Sequence, residues 1–557
     1  MKPGSLPPSP TGTAAKTWGA YYTDEAVARF LVRWALRSPH ETLADPAFGG
    51  GVFLAAASER LRQLGGDVGR QIFGVELDKE VHGRTATALE AHFAINPARL
   101  FCEDFFDLSP PEMPVDIVVG NPPFIRYQRF SGAAREKALW RAAERGVRLN
   151  KLAGSWAAFV VHATAFLRPG GRLGMVLPAE LGHAAYARPV LEYLARSFEQ
   201  VSLLTFRNQL FPHLSQDALL LLAEGRGEHP QSTVAFSLLD LHSAADLDRP
   251  QLPQGTVRLE VSALASGQER LPLYWIPPAA RELYRGLRRA PQTFRLGAVA
   301  EVGIGYVTGH NDFFHLSPEE ARHWNIPLEF LRPAVRRGRA LRGLRFTPSD
   351  WEQALPQGEA GFLLHLPPDA TVPASVWAYL EQGRARGIPQ AYKCRVRTPW
   401  YSVPHVHRPD AFLTYMSGSM PHLVTNEAGA VAPNSLHLVR LTAPGWSAKA
   451  LAALWQTSLT RLSVELEGHA MGGGMLKIEP GEAERIVLAK PADTTELEAL
   501  ADELDILIKK GRAEQAQTLA DQVILREGLG LTKKEIAALS QAGQYLRLRR
   551  QRKLAGF

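Results

Sequence analysis

Between Trp18 and about residue 225, apolar runs too short for helices alternate with amphipathic stretches of three or more turns. Thr42 to Ala44, Ile72 to Glu76, Val115 to Val119 and Arg172 to Leu177 read as strands; Ala26 to Leu36, Val52 to Leu64, Glu80 to Phe93 and Trp156 to Leu167 read as helices. Strand–helix–strand units bury both faces of their strands by pairing them in parallel beneath a cover of helices. The expected fold is therefore α/β, a Rossmann-like, doubly wound, mostly parallel sheet. In such sheets ligands bind where the chain leaves the carboxyl ends of the strands, so those loops are where functional residues are to be sought.

That cadence does not persist through all 557 residues. Residues 1–17 hold Pro, Gly, Ser and Thr without an apolar period and read as a disordered leader, and 18–230 carry the α/β pattern. Residues 231–292 place breakers among short β-like runs and read as a connecting β-rich segment. Residues 293–490 turn to loops, aromatic residues and short strands, as expected of a second, mixed α+β domain. Helical periodicity returns over 491–557, which end on Arg547, Arg549, Arg550, Arg552 and Lys553 and read as a helical extension with a basic tail. Cys102 and Cys394, the only two cysteines, are too far apart for a disulfide framework or a sequence-local zinc site. No run approaches the roughly 18 apolar residues of a membrane span, so a cytoplasmic protein is expected. The net charge of +7 is compatible with a polyanionic partner without requiring one.

Four constellations lie on the expected binding edge. Asp45-Pro46-Ala47-Phe48-Gly49-Gly50-Gly51 joins a strand to a helix, and its spacing is not that of a dinucleotide G-x-G-x-x-G loop. Glu76 ends the next strand, where a carboxylate can accept both hydroxyl protons of a ribose; a solvated strand end is the plainer alternative. Asp104 is a third acidic tip, suited to accepting from an adenine amino group, with Phe105 as an apolar wall; a helix cap or solvated loop is the plainer alternative. The fourth, Asn121-Pro122-Pro123-Phe124, follows the apolar strand Val115–Gly120. Its prolines fix the turn and remove two backbone donors, leaving the Asn121 amide oxygen and the Pro122 carbonyl as a rigid pair of acceptors. Such a pair suits an exocyclic amino group, holding both N–H bonds and aiming the nitrogen lone pair at a methyl donor while Phe124 stacks on the ring.

With these four motifs in this order, the chain resembles the class I S-adenosylmethionine-dependent adenine-N6 DNA methyltransferases of bacterial restriction-modification systems, in the arrangement where cofactor motifs precede the catalytic one. The resemblance covers about residues 17–225 strongly and 295–490 more loosely. It implies S-adenosylmethionine as cofactor, held by Tyr22, Thr23, Asp45, Pro46, Ala47, Phe48, Gly49, Gly51, Glu76, Asp104, Phe105 and Asn121. It makes Asn121, Pro122, Pro123 and Phe124 the catalytic motif, with Phe124 and Phe211 packing on the target base. Gly19 to Thr23 match the segment that closes over the methionine part of the cofactor, although Asp24 stands where the family usually has Pro; Phe48 and Gly50 replace the common Cys and Ser. Residues 155–180 match the next helix and strand and read as mainly structural.

The later half resembles a target-recognition domain through Val302 to Asn311 and Gly472 to Lys477. Between them Leu331 to Arg345 holds six arginines and no acid, and Arg336, Arg337, Arg339 and Arg342 are expected to contact phosphates; a solvated face is the alternative. The reaction implied is methyl transfer to adenine N6 of a flipped base in double-stranded DNA, with no metal required. Cytosine N4, an RNA or protein amino group, and a DNA-binding subunit with a silent pocket stand as rival readings. No paired-acid and lysine cluster suggests a fused nuclease, so a restriction endonuclease would be a separate protein, and a monomer suffices for an asymmetric site.

Overall fold

A computed structural model describes residues 23–110, 114–211, 217–227, 235–249, 255–492 and 494–553. The chain divides into two compact units, Met1–Trp275 and Ile276–Phe557.

The first unit is built on a mixed sheet. Its strands are β1 Leu43–Asp45, β2 Ile72–Val75, β3 Leu100–Phe101, β4 Val115–Gly120, β5 Leu167–Pro178, β6 Phe198–Phe206, β7 Ala218–Arg226, β8 Ala235–Leu241 and β9 Val257–Arg258. They lie in the order β3-β2-β1-β4-β5-β7-β6-β8-β9. β1 to β5 pair in parallel, and β7 inserts antiparallel between β5 and β6. The helices α1 Glu25–Ala35, α2 Val52–Leu64, α3 Lys79–Phe93, α4 Gly132–Glu144, α5 Ser155–Thr164 and α6 Arg188–Ser197 follow the strand–helix alternation. The doubly wound, mostly parallel α/β fold expected from the sequence is the fold observed.

The local causes are legible. β1 and β4 bury Leu43, Ala44, Ile117, Val118 and Val119 because a central parallel strand is covered on both faces. α1 turns Val27, Leu31 and Val32 inward, and Asp24 caps it by accepting from the Ala26 amide at 2.8 Å. The acid that replaces the family's proline thus starts a helix. α2 begins after Gly51, whose φ of +78° an L side chain rarely adopts and whose added Cβ would meet Thr85 Cγ2 at 3.0 Å.

Residues 231–292, expected to be a connection, contribute β8 and β9 to the sheet. β8 pairs in parallel with β6 from Gln200↔Ala235 to Phe206↔Leu241 and buries Phe236, Leu238 and Leu241. The β-like run read here is thus a strand of the main sheet, a pairing that nothing local in the sequence records.

The second unit is mixed α+β. A five-stranded sheet takes the order β11 Ala300–Ile304, β19 Leu436–Leu441, β16 Ala411–Thr414, β18 Leu423–Asn426 and β14 Arg345–Phe346. A smaller sheet joins β12 His315–Leu316, β15 Ala360–Leu364 and β13 Leu331–Val335. Among the helices, α10 Ser458–Glu467 packs against the last, α13 Lys533–Arg550.

The basic end of the chain is not wholly a solvated tail. Arg550 is 8% exposed and holds Glu465 with two guanidinium bonds of 2.8 and 2.9 Å; it also donates to the carbonyls of Gly418, Ser419 and Gly474. α13 is thereby locked to α10 and to the Gly472–Gly474 turn. Arg550→Ala would leave Glu465 buried without its cation, and a loss of about 3–5 kcal/mol is expected, read as a lower denaturant midpoint. A shift under about 1 kcal/mol would show that the pair does not hold the helix.

Candidate active site

Because β1, β2, β3 and β4 run in parallel, their carboxyl ends deliver Asp45, Glu76, the 102–106 loop and Asn121 to one edge. Asp45 leaves β1 with a side chain only 1% exposed. Its Oδ1 accepts from the Ala47 amide at 3.1 Å, and its Oδ2 is buried with no hydrogen-bond partner among the described residues. Gly120, on the neighbouring strand β4, makes room for it: a Cβ there would stand 2.9 Å from Asp45 Oδ1. Burial pushes the Asp45 carboxyl up to about 8, against the pull of the Ala47 bond and with a further push from Glu76.

Pro46 and Ala47 lead into the glycines. The Phe48 amide donates to the Val75 carbonyl at 3.0 Å and its ring lies 5.7 Å from that of His82, so the loop is laid against β2. Glu76 accepts from the Gly49 amide at 3.0 Å and from the Asp78 amide at 2.8 Å. Its carboxyl is raised, chiefly by burial. Thr85 Oγ1 donates to the Gly49 carbonyl at 2.9 Å, fixing the turn before Gly51.

The third strand end is held differently. Asp104 accepts from the Phe106 amide at 3.0 Å and, at 3.1 Å, from the ammonium of Lys137 on α4, which also reaches Asp107. Phe105 is 4% exposed; its ring packs among Phe159, His162 and Phe166 at centroid distances of 4.8, 4.7 and 5.0 Å. His162 Nε2 donates to the Phe105 carbonyl at 3.1 Å, and burial lowers its pKa to about 4, so the ring is neutral at physiological pH.

Asn121 follows β4. Its Nδ2 donates to Thr23 Oγ1 at 3.1 Å, bringing the segment before α1 against the Asn121–Phe124 turn. Tyr22 lies outside the described residues. Pro122 and Phe124 are buried, while Asn121 and Pro123 are partly open. Phe211 is 8% exposed at the end of a described stretch.

Residues 10–186 match the family described as N-6 DNA Methylase, and 269–525 match the C-terminal domain of the type II methyltransferase M.Eco57I. Residues 10–186 thus carry an N-6 DNA methylase domain. Among its relatives, the type II methyltransferase M.AccI of Acinetobacter calcoaceticus is 20% identical over 478 residues, 84% of each chain. M.PaeR7I of Pseudomonas aeruginosa, another type II methyltransferase, is 27% identical over 531 residues, 86% of this chain and 87% of that one. The fold is also similar to that in a cryo-electron-microscopy structure of a DrdV–DNA complex, with a TM-score of 0.52 and 11% identity. That likeness covers 89% of this chain and spans 58% of the longer DrdV chain. No helix among the described residues is long and apolar enough to cross a membrane.

One supporting residue was missed in the sequence. Ser155, at the first turn of α5, accepts from the Ile125 amide at 2.9 Å through Oγ, donates to the Pro123 carbonyl, and donates its own amide to the Ile125 carbonyl at 3.1 Å. Three bonds thus tie α5 to the two residues flanking Phe124. A serine opening a helix signals a cap at most, and nothing local says which loop 30 residues earlier it grips. Ser155→Ala is expected to lower kcat by roughly tenfold to a hundredfold, because the loop loses its fixed placement, while S-adenosylmethionine affinity stays within a factor of two. Single-turnover methylation beside cofactor titration checks this; an unchanged kcat would make the serine a helix cap only.

In the second unit the arginines expected at DNA divide. Arg336 lies 3.6 Å from Asp312 and Arg342 lies 3.7 Å from Glu359. Arg337 and Arg339 are exposed and make no ion pair among the described residues.

Proposed function

We propose that this N-6 DNA methylase transfers a methyl group from S-adenosylmethionine to the N6 amino group of an adenine in duplex DNA, as the modification enzyme of a restriction-modification system. The observation that carries the reading is Asn121-Pro122-Pro123-Phe124 set rigidly at the end of β4, braced by Ser155 and directly beside the buried Asp45.

The residues on this edge fit the cofactor. Asp45 Oδ2 is a buried acceptor with no hydrogen-bond partner among the described residues and suits a cationic group, and ionising it is easier when a positive charge arrives. The turn through Gly49 and Gly51 lets backbone approach the ligand, and Glu76 is suited to ribose hydroxyls. Asp104 and the loop before Phe106 would take the adenine end. When bound, S-adenosylmethionine supplies an electrophilic methyl group on sulfur.

The chain's own part is to prepare the acceptor. Asn121 Oδ1 and the Pro122 carbonyl each accept one N–H of the target amine, which directs its lone pair and draws positive charge from it as the new N–C bond forms. Phe124 stacks on the ring. The base has to leave the duplex to reach this edge, at a cost of about a few kcal/mol in unstacking, which contacts elsewhere on the protein must offset.

Incubation of the protein with methyl-labelled S-adenosylmethionine and, separately, unmethylated plasmid DNA, total RNA and bulk protein tests the acceptor class. Label is expected in DNA alone. Label in RNA or protein, with none in DNA, would overturn the reading.

A further inference from the structure

From Arg384 to Arg408 the chain carries six Lys and Arg and not one Asp or Glu. In the middle of this stretch a short helical turn, Tyr392–Arg395, stands out from the second unit. Tyr392 is 66% exposed and Val396 is 61% exposed, and Lys393 and Arg395 between them are exposed as well. Arg386, Lys393 and Arg395 make no ion pair among the described residues; the Lys393 ammonium lies 5.4 Å from the Tyr392 ring centroid.

The turn is exposed but not loose. Cys394, wholly buried, points its thiol at the Thr308 carbonyl at 3.6 Å, and Arg397 donates to the carbonyls of Thr308, at 2.8 Å, and Val307. Gly309 has a φ of +88° and lies so close that a Cβ there would meet Lys393 Cβ at 2.9 Å and Cys394 Sγ at 3.1 Å. Beneath them, Tyr306, Phe313, Tyr379, Ile388 and Cys394 share one buried core. The basic turn and the 305–311 loop are therefore a single rigid platform.

A fixed cluster of like charges with two large apolar side chains at its crest is costly in water alone, and it matches a polyanion that also offers apolar edges. The arginine run of residues 331–345 contrasts with it: Arg345 is held bidentately by Glu427 at 2.7 and 2.6 Å and by Asp502 at 2.8 Å, and Arg336 and Arg342 also face acids. Three of those six charges face acids within the protein, whereas Arg386, Lys393 and Arg395 of the turn face none among the described residues.

We propose that the 386–396 platform is a DNA-docking element of the second unit: Arg386, Lys393 and Arg395 take backbone phosphates of the duplex, and Tyr392 lies on a base edge or sugar. The proposal rests on the DNA-methylating reading and adds the surface that holds the substrate. Each phosphate contact releases condensed counterions and steepens the salt dependence of binding, whereas an aromatic contact adds affinity with little salt dependence.

The test uses the full chain and a fluorescent duplex, titrated at several salt concentrations. The variant Arg386→Ala/Lys393→Ala/Arg395→Ala is expected to bind duplex at least tenfold more weakly near 0.1 M salt, with a log–log salt slope shallower by about 2 to 3. Tyr392→Ala is expected to lose about threefold to tenfold in affinity at unchanged slope. Both should bind S-adenosylmethionine as the wild type does. A control that removes three other exposed cations, Lys510→Ala/Lys533→Ala/Lys534→Ala, should leave the slope within about 1 of the wild-type value. Wild-type slope and affinity in the first variant, or an equal loss in the control, would overturn the assignment even where the wild type methylates DNA. A wild type that neither binds nor methylates duplex DNA would overturn the functional reading with it.

Discussion

Asn121→Ala is expected to slow methyl transfer by about a hundredfold to a thousandfold, while the protein still binds S-adenosylmethionine within about tenfold of the wild type. In the proposed reaction its side chain is one of the two acceptors that hold the amine, and removal of a single preorganised partner of developing charge typically costs on the order of 10² to 10³ in rate. Its amide nitrogen donates to Thr23 Oγ1 at 3.1 Å, which tethers the segment before α1 and lies outside the sheet ladder. Folding should therefore survive. Rapid-quench kinetics beside calorimetric titration of the cofactor separate the two effects. A rate within tenfold of the wild type would remove Asn121 from the chemistry.

Asp45→Asn should act in the opposite sense on binding and stability. S-adenosylmethionine affinity is expected to fall by roughly tenfold to a hundredfold, the worth of a hydrogen bond to a charged partner. The cofactor-free protein should nevertheless gain stability at alkaline pH, because a buried carboxylate without a partner on Oδ2 is a cost that the isosteric amide does not carry. The sign follows from linkage. Asp45 titrates near 8 when folded and near its ordinary value of 3.8 when unfolded, so the folded state holds the extra proton between those values. Its contribution to wild-type stability falls as pH rises from about 4 to about 8 and is level above that. Denaturant midpoints measured from pH 5 to pH 9 should converge at the acid end and separate by about 1–3 kcal/mol in favour of Asn at the alkaline end. Curves that stay parallel over that range would show that the carboxyl is not raised.

Much of this site could be read before any coordinates, for a definite reason. Asp45, Glu76 and Asn121 each end or follow an apolar run, and in a parallel sheet strand ends converge, so position along the sequence translates directly into position in space. Asp104 is reachable by the same logic, but its ion pair with Lys137 is not, since α4 lies 33 residues on and nothing in its pattern marks that lysine. The order of the sheet beyond β5 was hidden for a related reason. β7 pairs with β5 from Leu173↔Ala223 to Pro178↔Ala218, so an antiparallel neighbour arrives only after β6 has been formed, and no local periodicity records such an insertion. The pairing of β8 with β6 was hidden in the same way.

In the second unit, composition alone does not sort the arginines held by acids from those that are not. A run of six arginines looks like a phosphate-binding face, yet Arg345 is bound between Glu427 and Asp502, and Arg550 of the basic tail is a buried lock on Glu465. For Arg345 and Arg550 the deciding acids lie about 80 residues or more away in sequence, beyond the reach of any local pattern. The stretch around Tyr392, with no acid from Arg384 to Arg408, carries the less compensated charge.

The central claim is that Asn121 to Phe124 direct a methyl group onto adenine N6. The most direct measurement is mass spectrometry of nucleosides from unmethylated plasmid DNA treated with the protein and isotope-labelled S-adenosylmethionine, with Asn121→Ala in parallel. The account predicts labelled N6-methyladenine from the wild type and far less from the variant. Labelled N4-methylcytosine in its place, or N6-methyladenine formed equally by both proteins, would contradict it.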